Sequence, residues 1–196
     1  MYLFFDTETT GLPKKWNAPI TDLDNWPRMV QLAWLLYDSR DQEIKRVNRI
    51  IIPEDYMIPP EVSKIHGIST SRAMNEGIDL NEALSEFAIA LNESNFLIAH
   101  NISFDEKIVG AEFLRKNIPN RLNEIPKICT MKTTTAICKI PARNSYKWPN
   151  LMELHQALFK KGFDGAHDAL ADVIACADCF FELKKTGMYQ QQGSLF

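Results

Sequence analysis

The sequence predicts an α/β domain in which a central mixed sheet of five strands is flanked by helices. Three observations carry that expectation. Apolar runs too short for helices stand at Tyr2 to Phe5 and Phe96 to Ala99, each followed closely by a carboxylate. Two longer runs, Met29 to Tyr37 and Ile44 to Ile52, are joined by Asp38-Ser39-Arg40-Asp41-Gln42, the pattern of an antiparallel hairpin. Elsewhere apolar residues recur at helical spacing, most plainly Leu80, Ala83, Leu84, Phe87, Ala88 and Leu91. A chain of 196 residues that is 45% hydrophobic supplies one sizeable core and is too short for two comfortable domains.

Taken in order, Tyr2 to Phe5 reads as a buried central strand with Asp6 and Glu8 at its exit. Side chains two apart on a strand share a face, so both carboxylates point the same way. Gly11-Leu12-Pro13 breaks the strand, and 14–27, with Pro19, Asp22, Asp24, Asn25 and Pro27, is a loop. Its Trp16 and Trp26 are expected to cover the sheet edge rather than to act as a lid or stack a base, since aromatics usually serve packing. After the hairpin and a proline-rich link from Pro53 to Pro60, Glu61 to Ile68 reads as a short helix stopped at Gly67. The stripe from Leu80 to Leu91 follows, with Asp79 and Glu82 as its cap. Phe96 to Ala99 then leads through His100-Asn101-Ile102-Ser103-Phe104-Asp105 into a helix ending near Lys116. Ile128 to Met131 is the expected fifth strand, and 151–159 and 168–185 are the last two helices.

Composition narrows the classes. No run approaches the roughly 18 apolar residues of a membrane span, and no basic segment precedes the first strand, so the expectation is a cytoplasmic protein without a membrane partner. A net charge of −3 argues against broad wrapping of nucleic acid, but not against local capture of one strand. Cys176 and Cys179 have the spacing of a metal knuckle, but Cys129 and Cys138, nine apart, do not complete one, so reduced core thiols are expected. Lys14, Lys15, Lys132, Arg143 and Lys147 read as solvated surface charges.

The chemistry-bearing residues are Asp6, Glu8, Asp105 and Asp172, from two strand ends and two helices. A layered sheet brings such ends to one edge. Four converging carboxylates need positive charge, and two Mg2+ or Mn2+ ions satisfy them and clamp a phosphodiester for in-line attack. His167 adds a group able to take a proton near neutral pH. On an ideal helix positions 167 and 172 lie about 140° apart, so His167 faces the same site only if it belongs to the preceding turn, which predicts a mobile histidine.

Asp6-Thr7-Glu8-Thr9-Thr10-Gly11, His100-Asn101-Ile102-Ser103-Phe104-Asp105, and His167 with Asp172 five residues later resemble, in order and over residues 4–180, the three motifs of the DEDD exonucleases, His subclass. This is the family of bacterial polymerase III epsilon proofreading subunits and ribonuclease T. The resemblance implies a ribonuclease H-like fold over residues 1–186 and 3′→5′ release of nucleoside monophosphates from single-stranded or frayed DNA. RNA is the alternative substrate. It also implies that Asp6, Glu8 and Asp172 hold the metal that activates water, that Asp6 and Asp105 serve a second, and that His167 is the general base. Thr9, Gly11 and Leu12 would hold the 3′-terminal nucleotide, with Leu12 against the base, and Glu61 and His66 would line its pocket. The loop 14–27 is longer than expected for the family, which bears on substrate choice.

Residues 187–196 form a tail whose Gln192-Gly193-Ser194-Leu195-Phe196 resembles the pentapeptide by which bacterial replication proteins dock on the sliding clamp. Gln192, Ser194, Leu195 and Phe196 are therefore candidate contacts to a clamp, and a polymerase is a further expected partner. A non-catalytic clamp-binding replication module is the competing reading. The intact carboxylates and His167 argue against it, because a binding module has no need for the cost of assembling them.

Overall fold

The computed structural model describes residues 1–187; the expected clamp contacts Gln192, Ser194, Leu195 and Phe196 lie outside that range. Five strands, β1 (Tyr2–Thr9), β2 (Met29–Tyr37), β3 (Glu43–Ile50), β4 (Phe96–Ala99) and β5 (Lys127–Cys129), form one sheet in the order β3-β2-β1-β4-β5. β1 and β2, and β2 and β3, pair antiparallel, whereas β1, β4 and β5 run parallel. The helices are α1 (Pro60–His66), α2 (Thr70–Glu76), α3 (Leu80–Glu93), α4 (Ile102–Lys116), α5 (Thr130–Thr133), α6 (Thr135–Cys138), α7 (Leu151–Phe159) and α8 (Ala169–Lys185).

The two faces of the sheet explain the apolar patterns. Leu3, Phe5, Leu32, Trp34 and Leu36 pack against Leu84, Phe87 and Leu91 of α3 and Ile108, Val109 and Phe113 of α4. Phe4, Ala33 and Leu35 on the opposite face pack against Val173, Cys176, Ala177 and Phe180 of α8. β2 is therefore buried on both sides from Met29 to Leu36, whereas β3, the edge strand, buries only Val47 and exposes Lys45 and Arg46, charges that guard an open edge against pairing. All four cysteines are free, with Cys129, Cys176 and Cys179 buried in the core.

Several expectations are corrected. The fifth strand ends at Cys129, because Thr130 and Met131 already turn into α5. The third ends at Ile50, and Ile51 bridges to Ile78 instead. Helix α1 stops at Gly67 as expected, that residue left-handed at φ 74° as its cap, but it starts at Pro60. Helix α2 was not foreseen: Thr70–Glu76 buries only Ala73, too little for a periodic stripe, and it is started by Ser69, whose side chain accepts from the Arg72 amide. The loop tryptophans divide. Trp26 is buried and donates through Nε1 to the Pro19 carbonyl, the cover expected, but Trp16 is 53% exposed.

Candidate active site

β1 outruns its parallel neighbour. Its pairing with β4 ends at Phe4 opposite Ile98, so from Phe5 onward the edge of β1 on that side is open. Asp6 and Glu8 stand on this free stretch, on the face that carries Phe4 and α8. The polypeptide leaves β4 through Asn101, held left-handed at φ 65°, and turns into α4, whose first turn delivers Asp105 into the notch. Asp105 is 3% exposed, and its Oδ1 accepts from the Thr7 hydroxyl at 2.7 Å and the Thr7 amide at 3.2 Å. Thr7, between the two carboxylates in sequence, thus ties the third to them.

The fourth comes from α8. Asp168 is the N-cap, its Oδ1 accepting from the Leu170 and Ala171 amides at 3.1 Å. Gln31 of β2, almost fully buried, donates through Nε2 to Asp168 Oδ2 at 3.0 Å and accepts from the Ala169 amide at 3.2 Å, so the start of α8 is fastened to the sheet. Asp172 then lies one turn in. His167 precedes the cap, outside the helix, at φ 70°, and its amide donates to Asp172 Oδ2 at 3.1 Å. That left-handed residue is how positions 167 and 172 come to one site despite their helical phase. Ligand atoms of Glu8, His167 and Asp172 all lie within 4.8 Å of one another.

Crowding of acids is visible in their proton affinities. Burial, then the charges of Asp105, Asp172, Glu8 and Asp168, hold the Asp6 carboxyl well above the usual range. Burial and the charges of Asp172, Asp105 and Asp168 push Glu8 up to about 8. Asp105 is raised by burial to about 7 against the opposing Thr7 hydrogen bonds. Burial lifts Asp172 to about 6, opposed by the bond and charge of His167. Among the described residues no lysine or arginine forms an ion pair with any of the four. An all-carboxylate set with one imidazole beside it and no internal cation has the chemistry of a hard divalent metal site.

Beside the acids is a cavity of about 260 Å³ lined by Thr9, Gly11, Leu12, His66, Ile65 and Phe104 among others. Four of the five residues expected to hold a nucleotide therefore meet in one place. Leu12 is 72% exposed at its mouth, and Gly11 takes φ 148°, open to glycine. His66 is buried, accepts at Nδ1 from the Ile68 amide at 3.1 Å, and is held below its ordinary pKa by burial. Glu61, exposed in the first turn of α1, is not part of this lining. His100, from the second motif, is a structural pin: Nε2 donates to the Pro149 carbonyl at 3.0 Å and Nδ1 meets the Thr130 hydroxyl at 3.0 Å, and burial drops its pKa to about 4.

Thr7 and Gln31 escaped the sequence reading, whereas Asp168 starts the last helix as expected. Both had a signal: a hydroxyl between two carboxylates, and one polar residue inside the apolar run Met29–Tyr37.

A ribonuclease H-like sheet with acids converging at the free edge of its central strand defines a nuclease. The chain belongs to the exonuclease family, whose profile matches residues 3–180, and its motifs are those of the DEDD 3′→5′ class. The DNA polymerase III subunit epsilon of Treponema pallidum is 29% identical over 177 residues, 90% of this chain and 73% of that protein. In fold the chain is similar to E. coli exonuclease I bound to a dT13 oligonucleotide, with TM-score 0.76 and 20% identity over 97% of this chain. It spans 42% of the length of that exonuclease I chain. Exonuclease X bound to 5′-overhanging duplex DNA matches with TM-score 0.62 and 20% identity over 95% of this chain and 93% of the other. No helix among the described residues is long and apolar enough to cross a membrane.

Proposed function

We propose that this protein is a metal-dependent 3′→5′ exonuclease that shortens single-stranded or frayed DNA, releasing nucleoside 5′-monophosphates. The observation that carries the reading is the meeting of Asp6, Glu8, Asp105, Asp172 and His167 beside the Thr9, Leu12 and His66 cavity. Asp6, Glu8 and Asp172 would hold one Mg2+ or Mn2+ ion, and Asp6 with Asp105 a second. When bound, such cations neutralise the carboxylates and act as Lewis acids on the phosphodiester and the attacking water.

The chain's own groups do the rest. The cavity seats the terminal nucleotide, Leu12 against the base. Thr7 fixes Asp105, and Gln31 with Asp168 fixes the start of α8 and so Asp172. A ring nitrogen of His167 takes a proton from the attacking water as its oxygen bonds to phosphorus. The bond that breaks joins phosphorus to the 3′ oxygen of the preceding nucleotide, which leaves with a proton. DNA as substrate is supported by the relatives: two were solved with DNA, and the third is named for a DNA polymerase subunit. That last similarity supports work alongside a polymerase, and the tail at 192–196 is proposed to dock on a clamp.

The test is digestion of matched 3′- and 5′-labelled DNA and RNA oligonucleotides with Mg2+, Mn2+ or EDTA, with Asp6→Ala as control. Mononucleotides released from the 3′ end, lost with EDTA and in the variant, are expected, with DNA cleaved faster than RNA. No metal-dependent cleavage of either would overturn the reading, and faster cleavage of RNA would reassign the substrate.

A further inference from the structure

Two of the four tryptophans, Trp16 at 53% and Trp148 at 59% exposure, line one open cleft of about 500 Å³, with Asn101, Ser103, Lys107 and Met131 between them. Its size is that of a pocket for a nucleotide-sized ligand. We propose that this cleft is a second nucleotide subsite, in which a base of the DNA strand upstream of the scissile bond stacks on Trp16 or Trp148 while Lys107 and Lys132 meet its phosphates. The proposal rests on the exonuclease reading and adds the substrate length the enzyme recognises.

Position supports it. Phe104 lines the terminal-nucleotide cavity and also packs its ring 5.8 Å from that of Trp16, which lines the cleft, so the two hollows are neighbours. Asn101 and Ser103 lie within the same short stretch as Asp105, so a strand leaving the carboxylates reaches the cleft directly.

Both walls are built, not draped. On one side Asn25 bonds both the amide and the carbonyl of Lys15, at 2.7 and 3.0 Å. Arg115 holds the carbonyls of Leu23 and Trp26, and Lys107 donates to the Trp16 carbonyl at 3.0 Å. Ile20 seats directly over Gly110 of α4, where a Cβ would collide with it. On the other side the carbonyl of Pro149, next to Trp148, is held by His100, and Lys147 pairs with Glu153. Charge is complementary to a phosphodiester strand: Lys132 Nζ lies 5.9 Å from the Trp148 ring centroid and Lys107 Nζ 5.0 Å from that of Trp26. Exposed aromatics with flanking cations are the platform on which single strands stack without regard to sequence.

The test compares kcat/KM on tetrathymidylate with kcat/KM on the p-nitrophenyl ester of thymidine 5′-monophosphate, which has no upstream nucleotide. Stacking of one base is worth about 5- to 160-fold, so Trp16→Ala and Trp148→Ala are expected to lower the ratio within that range, and Trp16→Phe and Trp148→Phe to retain most of it. A ratio unchanged in both alanine variants overturns the cleft. Quenching of tryptophan fluorescence by hexathymidylate in Ca2+ reads binding without turnover, and should be lost in the double alanine variant. If the unaltered protein cleaves neither substrate, the exonuclease reading falls, and quenching alone decides: its persistence in the double variant overturns the subsite, and its loss upholds it.

Discussion

Replacing Glu8 by Gln should make the metal-free protein more stable, by an amount that grows with pH. Glu8 and Asp172 present ligand atoms within 4.8 Å of each other. At an effective dielectric of about 20, two unit charges at that distance repel by about 3.5 kcal/mol. Burial first, and then the charges of Asp172, Asp105 and Asp168, raise Glu8 from its ordinary 4.5 to about 8. In the window from 4.5 to about 8 the folded protein therefore keeps a proton that the unfolded chain has released. Folded molecules bind more protons there, so stability must fall as pH rises across the window. Integrated from pH 5 to pH 8, such a shift corresponds to about 3.5 kcal/mol, which we halve to about 2 kcal/mol for relaxation and solvent screening. For a domain of this size that is about 4–8 °C in melting temperature. In EDTA at low salt, Glu8→Gln should melt higher than the parent by about that margin at pH 8, and by less than about 2 °C at pH 5. Adding Mn2+ should stabilise the parent at pH 8 and the variant far less. Thermal melts followed by circular dichroism at pH 5, 6.5 and 8 read both effects. Equal differences at pH 5 and pH 8 would refute the reasoning, because the acid cluster would then carry no charge conflict for a cation to relieve.

Three further outcomes are expected. Thr7→Val removes the hydroxyl that donates to Asp105 at 2.7 Å, and one hydrogen bond to a charged group is worth about 1.5–3 kcal/mol, so the Asp105 pKa should climb by about 1–2 units. Calorimetric titration with Mn2+ should then show affinity near pH 7 weakened about tenfold or more, with the gap closing by about pH 9, since metal and proton compete; a pH-independent change would contradict it. His167→Ala should lower kcat by about 10²–10⁴-fold with KM little changed, the size of a general-base contribution, and a loss under about 5-fold would remove His167 from that role. Glu112 is fully buried and accepts from Arg28 Nε at 2.9 Å and the Met29 amide at 3.0 Å, with Arg115 Nη1 also 3.0 Å away. Glu112→Gln leaves Arg115 without a counter-charge and Arg28 with Glu54 alone, and should cost about 3–5 kcal/mol in urea unfolding; a loss below about 1 kcal/mol would show the pairs to be inconsequential.

What was readable in the chain, and what was not, follows from the range of the forces involved. Asp6 and Glu8 were placed on one face by strand alternation alone, and the α3 stripe by helical period alone; both are local geometry. The phase argument at His167 was also local, and it located the residue outside α8, where φ 70° puts it. The short helix α2 left no trace, because seven residues burying one alanine carry no period to detect. The loop 14–27 was legible as a loop from its prolines and acids, but its rigidity comes from Arg115, Asn25, Lys107 and Gly110, partners up to 92 residues away that composition cannot reveal. Trp16 and Trp26 look alike in sequence. Only the fold separates the buried one, whose Nε1 finds the Pro19 carbonyl of its own loop, from the one left facing solvent.

The same distinction explains how the site is held. Each metal-seeking carboxylate would be costly if its position relied on the metal alone, since the metal-free state would then spread the acids apart. Instead each is fixed by bonds within the chain. Asp105 is fixed by Thr7, and Asp172 by the His167 amide and by a helix start that Gln31 and Asp168 fasten to β2. Asp6 and Glu8 are fixed by unbroken pairing with Ala33 and Gln31 on the β2 side, while the β4 side stays open. That asymmetry is the step from fold to function: one edge of β1 is spent on rigidity, the other on access. On the proposed reading, a strand end that enters from the open side would meet acids already in place.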